Sequence, residues 1–147
     1  MTIKKILVAH DFSDAASRAL SFAARLASEA GAKLALTYVH PDIYDGRGEA
    51  SLTLPAALPG QGERYLRFLH EELERLAKAL VGAAADELET HVVRGEPVKR
   101  IEALAQEIGA DVICVGASGK GAVERVLLGS VSQLVLRSSP IPVLVVP

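Results

Sequence analysis

VICVGASGKGAVERVLLGSVSQLVLRSSPIPVLVV, residues 112–146, holds the turn around which the rest of the chain is organised. The apolar run from Val112 to Val115 has the composition of a buried strand and delivers the backbone to Gly116. Gly119 follows after two residues and Gly129-Ser130 after nine more, where a short helical pattern carrying Val131, Leu134 and Val135 begins. Glycine lacks Cβ, so it accepts positive φ and lets a ligand lie against the main chain. A glycine-rich turn between a parallel strand and a helix gathers unpaired N–H groups at the positive end of the helix dipole, an arrangement that favours phosphate. The spacing Gly116-x2-Gly119-x9-Gly129-Ser130 is not a P-loop, which closes on Gly-Lys-Ser/Thr, and it lacks the tight Gly-x-Gly start of the dinucleotide fingerprint. A bare glycine pair would suit a surface turn; the spaced positions between a strand and a helix favour a site.

Outward from this turn, strands and helices alternate. Ile3 to Ala9 is a branched apolar run ending in His10-Asp11-Phe12-Ser13, a strand followed by a helix start with Ser13 as N-cap. Ala16, Ala19, Leu20, Ala23, Leu26, Ala27 and Ala30 recur at helical spacing, and Gly31 ends the helix. Lys33 to His40 is a second apolar strand, so a right-handed parallel crossover follows. Residues 41–62, rich in Pro and Gly and without periodicity, read as a long flexible loop, either a mobile excursion beside the site or plain disorder. From Glu63, Leu66, Leu69, Leu73, Leu76 and Leu80 form a core-facing helical stripe that stops before Gly82. Leu88 to Val93 alternates weakly and suits a strand near the sheet margin. Pro97 opens a helix carrying Val98, Ile101, Leu104, Ala105 and Ile108. Pro140-Ile141-Pro142 introduces a last strand, Val143 to Val146, whose proline marks it as an edge. The expectation is a doubly wound, Rossmann-like α/β domain over residues 1–147 with a five-stranded parallel sheet and four main helices.

Composition agrees with one globular domain. A chain of 147 residues, 50% apolar and 23% charged, is long enough to bury roughly two-thirds of its unfolded surface without a metal or disulfide staple. A net charge of −2 offers no basic stripe for nucleic acid or an anionic membrane. No apolar run reaches a membrane span, and MTIKKILVAHDFS lacks the apolar core of a signal peptide, so a cytoplasmic protein is expected. The single cysteine, Cys114, sits in an apolar run as a small buried hydrophobe rather than a reactive thiol.

The Gly116-x2-Gly119-x9-Gly129-Ser130 pattern, with Asp11 in LVAHDFS, resembles the ATP-binding branch of the universal stress protein family, and the resemblance extends over essentially the whole chain. It implies the strand order 3-2-1-4-5, with the first and fourth strands side by side where a crevice opens at their carboxyl ends. It further implies ATP, with Mg²⁺, as the ligand. Asp11 would face the ribose and phosphates, where its carboxylate could accept a ribose hydroxyl or help to hold Mg²⁺; an Asx turn is the structural alternative. The resemblance implies base recognition by backbone groups of Val39, ribose approach at Gly116, and a phosphate cradle at Gly119, Gly129, Ser130 and Val131, with Ser132 as a further donor. Lys120 and Arg125 fit phosphate neutralisation and solvated loop charges equally well. A homodimer through the C-terminal strand and a regulatory protein partner are the assemblies implied.

No catalytic constellation stands out. His10, His40, His70 and His91 lack zinc-type spacing, so no metal site of protein ligands alone is expected. No nucleophile elbow or Cys/His pair is present, and no second acid accompanies Asp11. A nucleotide-dependent regulatory or stress-response module is therefore the first expectation. The alternatives are a slow adenine-nucleotide hydrolase using Mg²⁺ and Asp11, and a nucleotide-independent dimeric scaffold, against which the intact glycine pattern speaks.

Overall fold

In the computed structural model of the chain, residues 1–41, 61–117 and 128–147 are described. The stretch expected as a loop over 41–62 and the positions Gly119, Lys120 and Arg125 lie wholly or largely outside them. The elements are β1 (Lys5–Ala9), α1 (Asp14–Ala30), β2 (Lys33–His40), α2 (Gln61–Val81), a 3₁₀ segment (Gly82–Glu87), β3 (Glu89–Arg94), α3 (Pro97–Glu107), β4 (Val112–Gly116), α4 (Ser130–Ser138) and β5 (Val143–Val146). All strand pairings are parallel, and the sheet order is β3-β2-β1-β4-β5. The expected architecture and strand order are those observed.

Alternation along each strand divides the core into two layers. Ile6, Val8, Leu34, Leu36 and Cys114 pack with Ala19, Leu20, Ala23 and Leu73 on the α1/α2 side. Leu7, Ala35, Val39, Ile113 and Val115 pack with Val98, Ile101, Leu104 and Val135 on the α3/α4 side. Buried alanines along α1 let its backbone lie close to the sheet. That helix starts where its sequence directs: Ser13 Oγ accepts the Ala16 N–H (3.2 Å), and Gly31 ends it at φ 65°.

Three local features differ from the sequence expectation. β1 begins at Lys5 rather than Ile3, because Asp111 Oδ2 takes the Lys4 and Lys5 N–H groups (2.7 and 3.0 Å) and latches the start of β1 to the start of β4. These backbone bonds hold the Asp111 carboxyl below its usual range. Glu96 caps α3 with both oxygens, accepting from Val98 and Lys99 N–H (3.0 and 2.9 Å). Finally, Gly82 adopts φ 58°, and a 3₁₀ segment of small residues leads into β3. None of its residues is buried, so no apolar period announced it.

Candidate functional site

β1 and β4 are neighbours whose chains leave the sheet towards different helices, so their carboxyl ends diverge. A cleft of about 300 Å³ opens there, lined by Asp11, Thr37, Val39, Gly116, Val131 and Ser132 among others. Its floor is largely apolar, with Ala9, Ile101 and Val115. Such a volume is at the lower end for small-molecule sites.

The segment after β1 is braced by His10. Its Nδ1 accepts the Phe12 N–H (2.9 Å), so that nitrogen carries no proton; the proton lies on Nε2, which donates to Ser17 Oγ (3.2 Å). This turn holds Phe12 at φ 63°, the one non-glycine with positive φ among the described residues. His10 is buried, which lowers its pKa to about 4, against a smaller raising effect of Asp11. The His10–Ser17 contact is therefore no activated nucleophile, because a base would have to present an unprotonated Nε2 to the hydroxyl. Asp11 follows, exposed at the cleft, with Oδ1 accepting the Ser13 N–H (3.0 Å). The Asx turn considered from sequence is present, while Oδ2 has no hydrogen bond among the described residues.

Gly116 is required for a reason the sequence did not disclose. A Cβ there would lie 2.5 Å from the Ala15 carbonyl carbon and 2.7 Å from the Ala16 nitrogen, so the missing side chain makes room for the first turn of α1. Its φ lies outside the left-handed region. Gly129 is the N-cap of α4 at φ −60°, and its N–H is taken up by the Ala117 carbonyl (2.6 Å). The first bond of α4 runs from Gln133 N–H to the Gly129 carbonyl (2.9 Å). The N–H groups of Ser130, Val131 and Ser132 precede it and have no partner within the helix, which leaves them as the donors at its positive end. The Ser132 hydroxyl, expected as a donor to a ligand, instead donates to the Gly116 carbonyl (2.7 Å) and ties α4 to β4.

Val39 lies on the opposite wall. The last rung between β1 and β2 is His10 N–H to Thr37 carbonyl (2.8 Å), and the His40 carbonyl turns the other way to accept the Gly95 N–H (3.0 Å). Backbone groups of successive strand residues point to opposite edges, so the N–H and C=O of Val39 face the side that β1 has vacated. Neither makes a backbone bond across that gap among the described residues. The structure thus brings Asp11, Val39, Gly116 and Val131 to one cleft, with Gly129 and Ser130 at the adjoining helix start. The sequence reading missed Thr37 and the bracing role of His10, since a strand-end histidine or threonine carries no spacing signal.

Among the described residues, no group of three or more His, Cys, Asp or Glu could hold a metal ion, and no helix is long and apolar enough to cross a membrane.

A fold of this order with a cleft at the carboxyl ends of β1 and β4 defines the doubly wound α/β class, and comparison with known proteins narrows it. The model of the universal stress protein family matches residues 2–147. A universal stress protein relative from Staphylococcus aureus (strain USA300) is 35% identical over 154 residues, which cover 99% of this chain and 85% of that protein. The structure of a universal stress protein in complex with cAMP has a TM-score of 0.67 at 27% identity, covering 100% of this chain and 99% of that one. That of the Archaeoglobus fulgidus universal stress protein in complex with dAMP has a TM-score of 0.65 at 25% identity, with 100% of both chains covered. The chain belongs to the universal stress protein family.

Proposed function

We propose that this protein is an ATP-binding regulatory or stress-response module that takes its nucleotide, with Mg²⁺, in the cleft between β1 and β4. The observation that carries it is the convergence of three unlike partners on one cleft: the Val39 backbone edge, the Asp11 carboxylate and the open N–H groups of α4. A base needs a paired donor and acceptor, a ribose needs an acceptor for its hydroxyls, and a phosphate needs N–H donors at a helix start. The two complexes above hold cAMP and dAMP, which share an adenine and a phosphate. The Gly116-x2-Gly119-x9-Gly129-Ser130 spacing, which resembles that of the ATP-binding branch of the family, supports a polyphosphate as the ligand.

Asp11 Oδ2 is the carboxylate oxygen available to Mg²⁺, which is commonly held by one or two carboxylates together with substrate phosphates. Slow hydrolysis assisted by Asp11 is the second reading, favoured by that same oxygen. His10 does not serve as its base, being held by Phe12 and Ser17 with a depressed pKa. A single cytoplasmic domain over 1–147, paired with a second copy through β5 and acting on a regulatory partner, completes the proposal.

Calorimetric titration of the full chain with ATP and Mg²⁺ tests it. Saturable binding is expected, greatly weakened in Asp11→Ala and in Gly119→Val, which puts a branched side chain on a glycine that the family pattern implies for the phosphate cradle. Equal affinity in folded samples of both variants would remove the assignment.

A further inference from the structure

Thr37 is fully buried, lines the cleft, and its hydroxyl has no hydrogen-bond partner among the described residues. A buried polar atom without a partner is unusual, and leaving one unsatisfied costs far more than a made bond contributes. The side chain lies on the α3/α4 face, as the alternation of Ala35 and Val39 against Leu34 and Leu36 requires. Its own carbonyl makes the last rung to β1, so the residue stands where β1 leaves β2 and the cleft begins. Along the sheet, Thr37 is one strand from β1 and two strands, about 10 Å, from Gly116. It therefore sits on the side of Val39 and away from the open N–H groups of α4.

We infer that the Thr37 hydroxyl is a base-reading contact, hydrogen-bonding a ring nitrogen or the exocyclic amino group of the nucleobase. The inference rests on the nucleotide site proposed above and deepens it. A hydroxyl both donates and accepts, so it matches either kind of purine nitrogen. A pocket that buries such a group discriminates against a base that leaves it unpaired. A water molecule in its place would satisfy the hydroxyl without selecting a ligand.

The test compares wild type, Thr37→Val and Thr37→Ser by calorimetry with ATP and Mg²⁺, and with ATP analogues lacking N1, N3, N7 or the 6-amino group. Thr37→Val keeps the shape and removes the orphan hydroxyl, so its melting temperature without ligand is expected to equal or exceed that of wild type. Its affinity for ATP is expected to fall about tenfold, the size of one lost buried hydrogen bond. Thr37→Ser is expected to recover most of the loss, and the loss should vanish for the one analogue that lacks the contacted atom. Undiminished ATP affinity in Thr37→Val, or an equal loss with all four analogues, would overturn the inference while leaving the nucleotide site standing. If wild type binds no adenine nucleotide, the proposed function fails first and this inference with it.

Discussion

Gly116 and Ala15 are in direct steric register: the position a side chain would occupy on the last residue of β4 lies 2.5 Å from the backbone of the first turn of α1. The obstacle is main chain, which does not move aside as a flexible side chain would. Gly116→Ala is therefore expected to destabilise the protein by about 1–3 kcal/mol, the usual cost of overpacking. Chemical denaturation should show a lower midpoint with an unchanged slope. An unaltered midpoint would mean that α1 shifts freely at its start.

His10 sets a window of acid sensitivity. Its folded pKa of about 4 lies below the ordinary histidine value of 6.5, so the unfolded chain binds the extra proton first. The associated stability is complete above about pH 6.5 and is lost as pH falls towards 4. A depression of this size corresponds to roughly 3 kcal/mol. Denaturant titrations at intervals between pH 7 and pH 4 should show this slope in wild type and a reduced one in His10→Gln. Glu89, lowered chiefly by its hydrogen bond from Lys5, and Asp111 lose their contributions only at lower pH, as each carboxyl protonates through its folded pKa. A persistent slope in a folded His10→Gln protein would transfer the effect to another group.

Cys114 is expected to be chemically silent in the native state. It is fully buried in β4, its thiol approaches the Ala19 carbonyl at 3.7 Å, and burial pushes its pKa up to about 12. Both the thiolate and the access that alkylation needs are missing. Iodoacetamide at pH 8 should modify it only after denaturant is added; stoichiometric labelling of the folded protein within minutes would show that β4 opens readily.

The β5 edge carries the assembly prediction. Carbonyls of Pro142 and Val146 turn inward to Ile113 and Ala117, so the backbone groups of Val143 and Val145 face the open edge. No lysine interrupts Val143–Val146. An unguarded apolar edge recruits another strand, and a two-fold pairing would close the assembly at two copies. Light scattering at tens of micromolar should give a dimer mass, with Val145→Lys shifted towards monomer. A monomeric wild type would contradict the expected pairing.

Much of the fold could be read from residues that act locally. Ser13 and Gly31 bound α1, Pro97 opens α3, and the branched runs of β1, β2, β4 and β5 cannot satisfy their apolar side chains anywhere but in a buried sheet. The 3–10-type segment after Gly82 and the Glu96 cap escaped notice because neither has an apolar period or a preferred capping residue. At the site, Asp11 and Gly129 were legible through position in a motif, but their hydrogen bonds were not.

By itself, the sequence determined the alternation of five strands and four helices, because side-chain period and capping chemistry act over a few residues. It also marked the glycine turn as the place to seek a ligand. Only tertiary structure decided which group does what there. Gly116 yields its Cβ space to a helix start about a hundred residues earlier in the chain, Gly129 gives its N–H to Ala117, and Thr37 keeps a hydroxyl with no partner among the described residues. Those outcomes depend on which strands lie side by side and where β1 leaves β2, and such long-range geometry is set by packing the whole sheet against its helices.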